Sequence, residues 1–117
     1  MKYILLFCGG DERWDSMPEA EVKARYADIS RWFDTHAAAG RIVSAEELQP
    51  ARTATTVRFE GETPVVSDGP FIESKETVGG YAIVEVSDLD EALGMAKTWP
   101  GHGAVEVRPL VDHSQDM

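Results

Sequence analysis

The sequence predicts an α+β domain of the ferredoxin-like split β-α-β type, with an extra hairpin and an antiparallel sheet. Three observations carry this expectation. Lys2 to Cys8 is an apolar, strand-like run followed by a long stretch of helical periodicity. Tyr81 to Leu110 repeats the strand–helix–strand order. Between the two lies a β-branched pair of segments around Glu60-Gly61-Glu62, which reads as a hairpin.

Each element has a local reason. Gly9, Gly10 and the polar run to Asp15 end the first strand. Ser16-Met17-Pro18-Glu19 reads as a helix start: Ser16 caps, Pro18 suits the first turn, and Glu19 completes a capping box. Val22, Tyr26, Ile29, Phe33 and Ala37 then recur at steps of four and three as one apolar stripe. Glu21, Arg25, Asp28 and Arg31 lie off it. Gly40 supplies the stop. Ile42 to Leu48 reads as a strand that Pro50 interrupts. Thr53 to Phe59 and Thr63 to Val66 make the hairpin. Tyr81 to Val86 alternates Tyr, Ile and Glu against Ala, Val and Val. Ser87-Asp88-Leu89-Asp90 caps a second helix with Leu89, Ala92, Leu93 and Ala96 inward, stopped by Pro100-Gly101. Ala104 to Leu110 is the last strand. Residues 1–111 form one domain, and 112–117 a polar, frayed tail.

Helices on one face of such a sheet leave the other face bare. If apolar, that face needs a partner, so a homodimer packed sheet to sheet is expected. The formal net charge of −10, from 11 Lys+Arg against 21 Asp+Glu, opposes direct nucleic-acid binding and docking on an anionic membrane. The apolar start gives way to Asp11, Glu12 and Arg13 too soon for a signal peptide or a membrane span. A cytoplasmic location is expected. The single cysteine, Cys8, excludes an intrachain disulfide and a Cys-based zinc site, and inert burial is its expected role. The histidines lack a close ligand spacing, and Gly9-Gly10 and Gly79-Gly80 lack a phosphate-loop pattern. No metal and no tightly bound cofactor are expected.

The segment most suited to chemistry runs from Ser67 to Gly80, where Asp68, Glu73, Lys75 and Glu76 lie among Gly69, Pro70, Gly79 and Gly80. Asp68 either acts as a general base that orients a histidine, or only closes its turn by bonding backbone N–H groups. Glu73 and Glu76 share a face if the segment is helical, where two close carboxylates raise one pKa for acid–base work; otherwise they belong to a solvated loop. His102, in Gly101-His102-Gly103, is the candidate partner for Asp68 in proton transfer, against the plain reading of an exposed loop residue. His36, near the end of the first helix, reads as a cation favoured by the helix dipole, and His113 as an inert tail residue. Arg58 and Arg108 are strand-borne cations for an anionic substrate, or for an interstrand ion pair with Glu106. Tyr81 either offers its hydroxyl to the same space or packs.

The chain also resembles the YCII-related proteins, in the branch with an Asp-Gly-Pro-Phe (DGPF) signature. The resemblance rests on Lys2-Tyr3, Glu46-Glu47-Leu48-Gln49-Pro50, Thr53-Ala54-Thr55-Thr56-Val57-Arg58 and Asp68-Gly69-Pro70-Phe71. It continues through Glu73, Lys75-Glu76, Gly79-Gly80, Leu89-Asp90-Glu91-Ala92 and Val105-Glu106-Val107-Arg108-Pro109. It implies a dimeric α+β barrel made from two ferredoxin-like sheets. Two functional classes follow. The rigid charged loop and the absence of metal or nucleotide motifs point to one, a small polar molecule bound, and transformed by acid–base chemistry, in a cleft beside the Asp68 loop. The other is a non-catalytic regulator linked to an extracytoplasmic-function sigma factor, which the acidic surface suits as a basic protein's partner. No family signature assigns His102.

Overall fold

Alternation along the first strand divides the molecule into two faces. The computed structural model describes residues 1–10, 14–71, 77–101 and 103–114. Strand β1 (Lys2–Gly9) turns Tyr3, Leu5 and Phe7 into the core, while Ile4, Leu6 and Cys8 stay partly exposed on the other side. Its neighbour β5 (Thr77–Glu85) repeats the pattern, with Ala82 and Val84 buried and Tyr81 and Ile83 opposite. Strands β2 (Ile42–Glu47) and β6 (Ala104–Pro109) flank them in the order β2-β5-β1-β6, every neighbouring pair antiparallel. Strands β3 (Thr55–Glu60) and β4 (Thr63–Asp68) form a separate two-stranded sheet. The chain is thus α+β, with antiparallel sheets.

Helices α1 (Glu19–Ala38) and α2 (Leu89–Lys97) cover the same sheet face, since Trp32 of α1 and Ala92 and Met95 of α2 join one core cluster with Tyr3, Leu5, Phe7, Ala82 and Val84. The Trp32 indole N–H ties the helices together by donating to the Met95 carbonyl at 3.1 Å. Leu5, Met95 and Val84 are fully enclosed, each stabilising the fold by about 1.5–3 kcal/mol. No helix among the described residues is long and apolar enough to cross a membrane.

Several expectations need correction. Helix α1 begins at Glu19 with Pro18 at the capping position and no side-chain cap there, so the Ser16–Glu19 box does not form. Pro18 lies just before the first helical residue, its extended ψ of 146° marking the entry. At the other end Gly40, at φ 76°, terminates the helix as expected. Its N–H donates to the Ala37 carbonyl and that of Arg41 to the His36 carbonyl. In α2, Asp88 caps by accepting from the Glu91 N–H at 2.9 Å. Leu89 is exposed, and Met95 rather than Leu89 fills the core. Strands β4 and β5 are longer than their apolar runs, reaching Asp68 and starting at Thr77, because backbone pairing continues past the side chains that pack.

The apolar stripe of α1 is rotated. Its buried residues are Trp32 and His36, whereas Tyr26 and Ala37 are exposed and Arg25 and Asp28 are half-buried. His36 therefore does not serve as a helix-end cation. Its ring packs edge-on against Trp32, centroids 4.6 Å apart, and its Nδ1 lies 3.1 Å from Nη1 of Arg41. A guanidinium can only donate, so this nitrogen accepts and the imidazole is neutral. Burial, then the Arg41 charge, push its pKa below the ordinary 6.5.

A lowered histidine pKa means that the unfolded chain takes up the proton more readily. The stabilisation is complete above about pH 6.5 and is lost as pH falls through the folded value. Thermal midpoints between pH 7.5 and 5 are expected to fall for the wild type, with a shallower slope for His36→Gln. Equal slopes would show that His36 does not titrate as a buried neutral group.

Candidate functional site

A bulge at one end of the sheet makes the site. The register of β1 against β5 slips between Phe7 and Cys8, where Phe7 pairs with Gly80 and Cys8 with Val78, so Gly79 is the extra residue. On the other edge of β5, Glu47 pairs with Gly80 and the Leu48 N–H donates to the Gly79 carbonyl at 2.8 Å. Neither glycine raises a side chain above the sheet. A cavity of about 430 Å³ stands over them, between the sheet and α1.

Its walls are aromatic. Phe7 and Trp99 stack with centroids 3.9 Å apart and planes at 17°, and Phe33 meets both edge-on. Tyr26 and Trp14 form the opposite wall, with centroids 5.4 Å apart. Ile29 and Ala45 complete the apolar lining. Tyr26, Ile29 and Phe33 thus bound a cavity, and that is why the sequence stripe lies to one side of the residues in the core.

Glu46 and Glu47 both border this space, and the pleat sets which of them faces it. Ala45 and Glu47 pair with buried residues of β5, Ala82 and Gly80, while Glu46 pairs with outward Tyr81. The Tyr26 hydroxyl donates to Oε1 of Glu47 at 2.6 Å. That hydrogen bond, with burial and the Glu47 charge behind it, pushes the phenol up to about 12. A shallower groove, lined by Asp15, Val22 and Leu48 among others, continues past the shared Trp14, Tyr26 and Glu47.

The residues singled out in the sequence are dispersed. Asp68 is exposed at the end of β4 and paired with Thr55. Its turn is closed by other groups: the Gly69 N–H donates to the Ala54 carbonyl, and the Thr56 hydroxyl donates to that of Gly69. The Asp68 carboxylate has no hydrogen bond or ion pair among the described residues. Glu73, Lys75, Glu76 and His102 lie outside the described residues. Arg58 is exposed on the hairpin opposite Val65. Tyr81 stands on the outer sheet face. Arg108 pairs with Glu106 at 2.7 Å along its own strand, and both are exposed, so the ion pair is neither interstrand nor internal. The described residues contain no cluster of His, Cys, Asp or Glu able to hold a metal ion. Neither the aromatic lining nor Glu47 was among the candidates. The signal was the off-centre stripe on α1 together with an adjacent Gly-Gly pair in a strand.

Two comparisons bear on this chain. The family model for the YCII-related domain matches residues 1–114. An uncharacterized protein of Rhizobium meliloti (strain 1021) is 35% identical over 115 residues, which cover 94% of this chain and 92% of that protein.

The cavity floor depends on the bare backbone of Gly80, where a Cβ atom would lie 3.0 Å from the Glu46 carbonyl oxygen. Gly80→Ala is expected to cost about 1–3 kcal/mol by forcing β2 and β5 apart. Urea denaturation reads this directly, and an unchanged midpoint would show that the two strands can yield.

Proposed function

The chain belongs to the YCII-related family, and on that premise we propose that it is a homodimeric small-molecule-binding protein of the DGPF branch, acting in the cytoplasm. The observation that carries the binding reading is the aromatic cavity above Gly79-Gly80. It has the size of a small-ligand site and mixes apolar walls with a hydrogen-bonded pair, Tyr26–Glu47.

The strand order β2-β5-β1-β6, built from two β-α-β units, supports a ferredoxin-like split with the hairpin as an insertion. The bare face supports the dimer. Across it Ile4 pairs with Ile83 and Leu6 with Tyr81, giving an apolar strip. Arg108 and Glu106 border it on β6, Ser44 and Glu46 on β2. An apolar centre with a polar rim is the anatomy of an interface, and a two-fold axis through the strip lets it cover itself. Two such sheets face to face make the dimeric α+β barrel.

A second reading places acid–base chemistry at Asp68, favoured by that carboxylate being exposed, and unengaged among the described residues, in a turn that other groups close. The net charge of −10 also suits a regulatory role beside a basic partner such as a sigma factor.

Light scattering at micromolar concentration is expected to give twice the 12.9 kDa chain mass. Leu6→Glu is expected to halve that mass while the circular dichroism of the fold persists; a wild-type monomer would refute the sheet-to-sheet dimer. For the binding reading, a fragment library screened by backbone and indole N–H resonances should move Trp14 and Trp99 and leave core Trp32 in place. Shifts confined to the Asp68 turn would transfer the site to the hairpin.

A further inference from the structure

The chemistry of the cavity wall specifies the charge of its ligand, an inference that rests on the binding reading above. Trp14 and Tyr26 present aromatic faces beside a carboxylate, Glu47, that belongs to both the cavity and the groove next to it. Indole and phenol faces attract cations, and an ionised carboxylate at the same wall adds to the attraction. Among the described residues, no Lys, Arg or His lines the cavity or the groove.

Among the described residues, the nearby guanidinium groups of Arg25 and Arg52 have other work. Arg25 donates to the Pro100 carbonyl, and Arg52 lies 3.1 Å from the Asp15 carboxylate. An anionic ligand would therefore meet Glu47 without a compensating charge among the described residues. The Tyr26 hydroxyl does not answer it either, because that proton is already given to Glu47 and is held more tightly than in a free phenol. Glu47 Oε1 carries this one donor, so the carboxylate keeps acceptor capacity for a second.

We infer that the cavity takes an organic ammonium ligand: an aromatic or aliphatic body packed over Gly79-Gly80 between Phe7, Phe33 and Trp99, with its cationic nitrogen between the Trp14–Tyr26 wall and Glu47. The body gains the apolar burial, and the nitrogen gains the ring faces and a charge-assisted hydrogen bond.

Three probes of matched shape test the inference: phenethylamine, neutral 2-phenylethanol and anionic 3-phenylpropionate. Each is titrated into the intact protein at low ionic strength, and the Trp14 and Trp99 indole resonances are followed. Phenethylamine is expected to bind about tenfold more tightly than either of the others, and Glu47→Gln to remove most of that preference. Equal binding of all three probes would overturn the ammonium inference while leaving the cavity a ligand site. Preference for the anion would overturn it as well. No shift with any probe at ten millimolar, from a protein whose spectrum is folded, would overturn both the inference and the cavity reading.

Discussion

Phe7 stacked on Trp99 is the contact on which both core and cavity depend. One edge of Phe7 meets Trp32, which is buried and hydrogen-bonded to the Met95 carbonyl; the ring also meets Phe33 and borders the cavity. The same side chain therefore closes the hydrophobic interior and forms the wall of a hollow. Edge-on and stacked aromatic pairs each contribute about 0.5–1.5 kcal/mol beyond their buried area. They also fix ring orientation, so the wall is held by the packing that folds the protein. On the proposed binding reading, a ligand would meet a surface whose ordering cost was met during folding.

Pleat and bulge distribute the remaining roles. Strict alternation along β1 and β5 gives one apolar row to the helices and leaves a second, Ile4, Leu6, Tyr81 and Ile83, on the bare face. The bulge at Gly79 breaks this alternation at the end of the sheet where the cavity sits. A regular strand would place a side chain where the cavity floor now lies. The irregularity therefore makes room for the cavity, and the regular part of the same strands makes the bare apolar strip.

The fold was largely legible because its signals are local. Tyr81 to Val86 alternates in the sequence, and the structure buries Ala82, Val84 and Val86. Gly40 and Gly61 mark a helix end and a hairpin turn, and both have positive φ. The errors arose where tertiary packing decided. The stripe of α1 has the right period, but periodicity cannot say whether an apolar residue meets a core or a cavity. His36 near a helix end looked like a dipole-favoured cation until Trp32 and Arg41 surrounded it. The site was less legible still. Attention went to ionisable residues in a rigid loop, whereas the cavity joins α1, three strands and Trp99, which are distant in sequence and meet only in the fold.

The two exposed carboxylates, Asp68 and Glu47, differ most in what holds them. Asp68 belongs to a two-stranded hairpin whose contacts with the main sheet are sparse, and an isolated hairpin is only marginally stable. Its exposed face carries Val57, Phe59 and Val66 without cover from the other described residues. Glu47 closes a strand of the main sheet, paired with Gly80 and fixed by the Tyr26 hydroxyl. Recognition requires groups held to a fraction of an ångström by rigid supports. On that ground Glu47 is the better placed for recognition within one chain. Asp68 becomes comparable only if a second copy packs against the hairpin and holds it still, which links any chemistry at the Asp68-Gly69-Pro70-Phe71 turn to the proposed dimer.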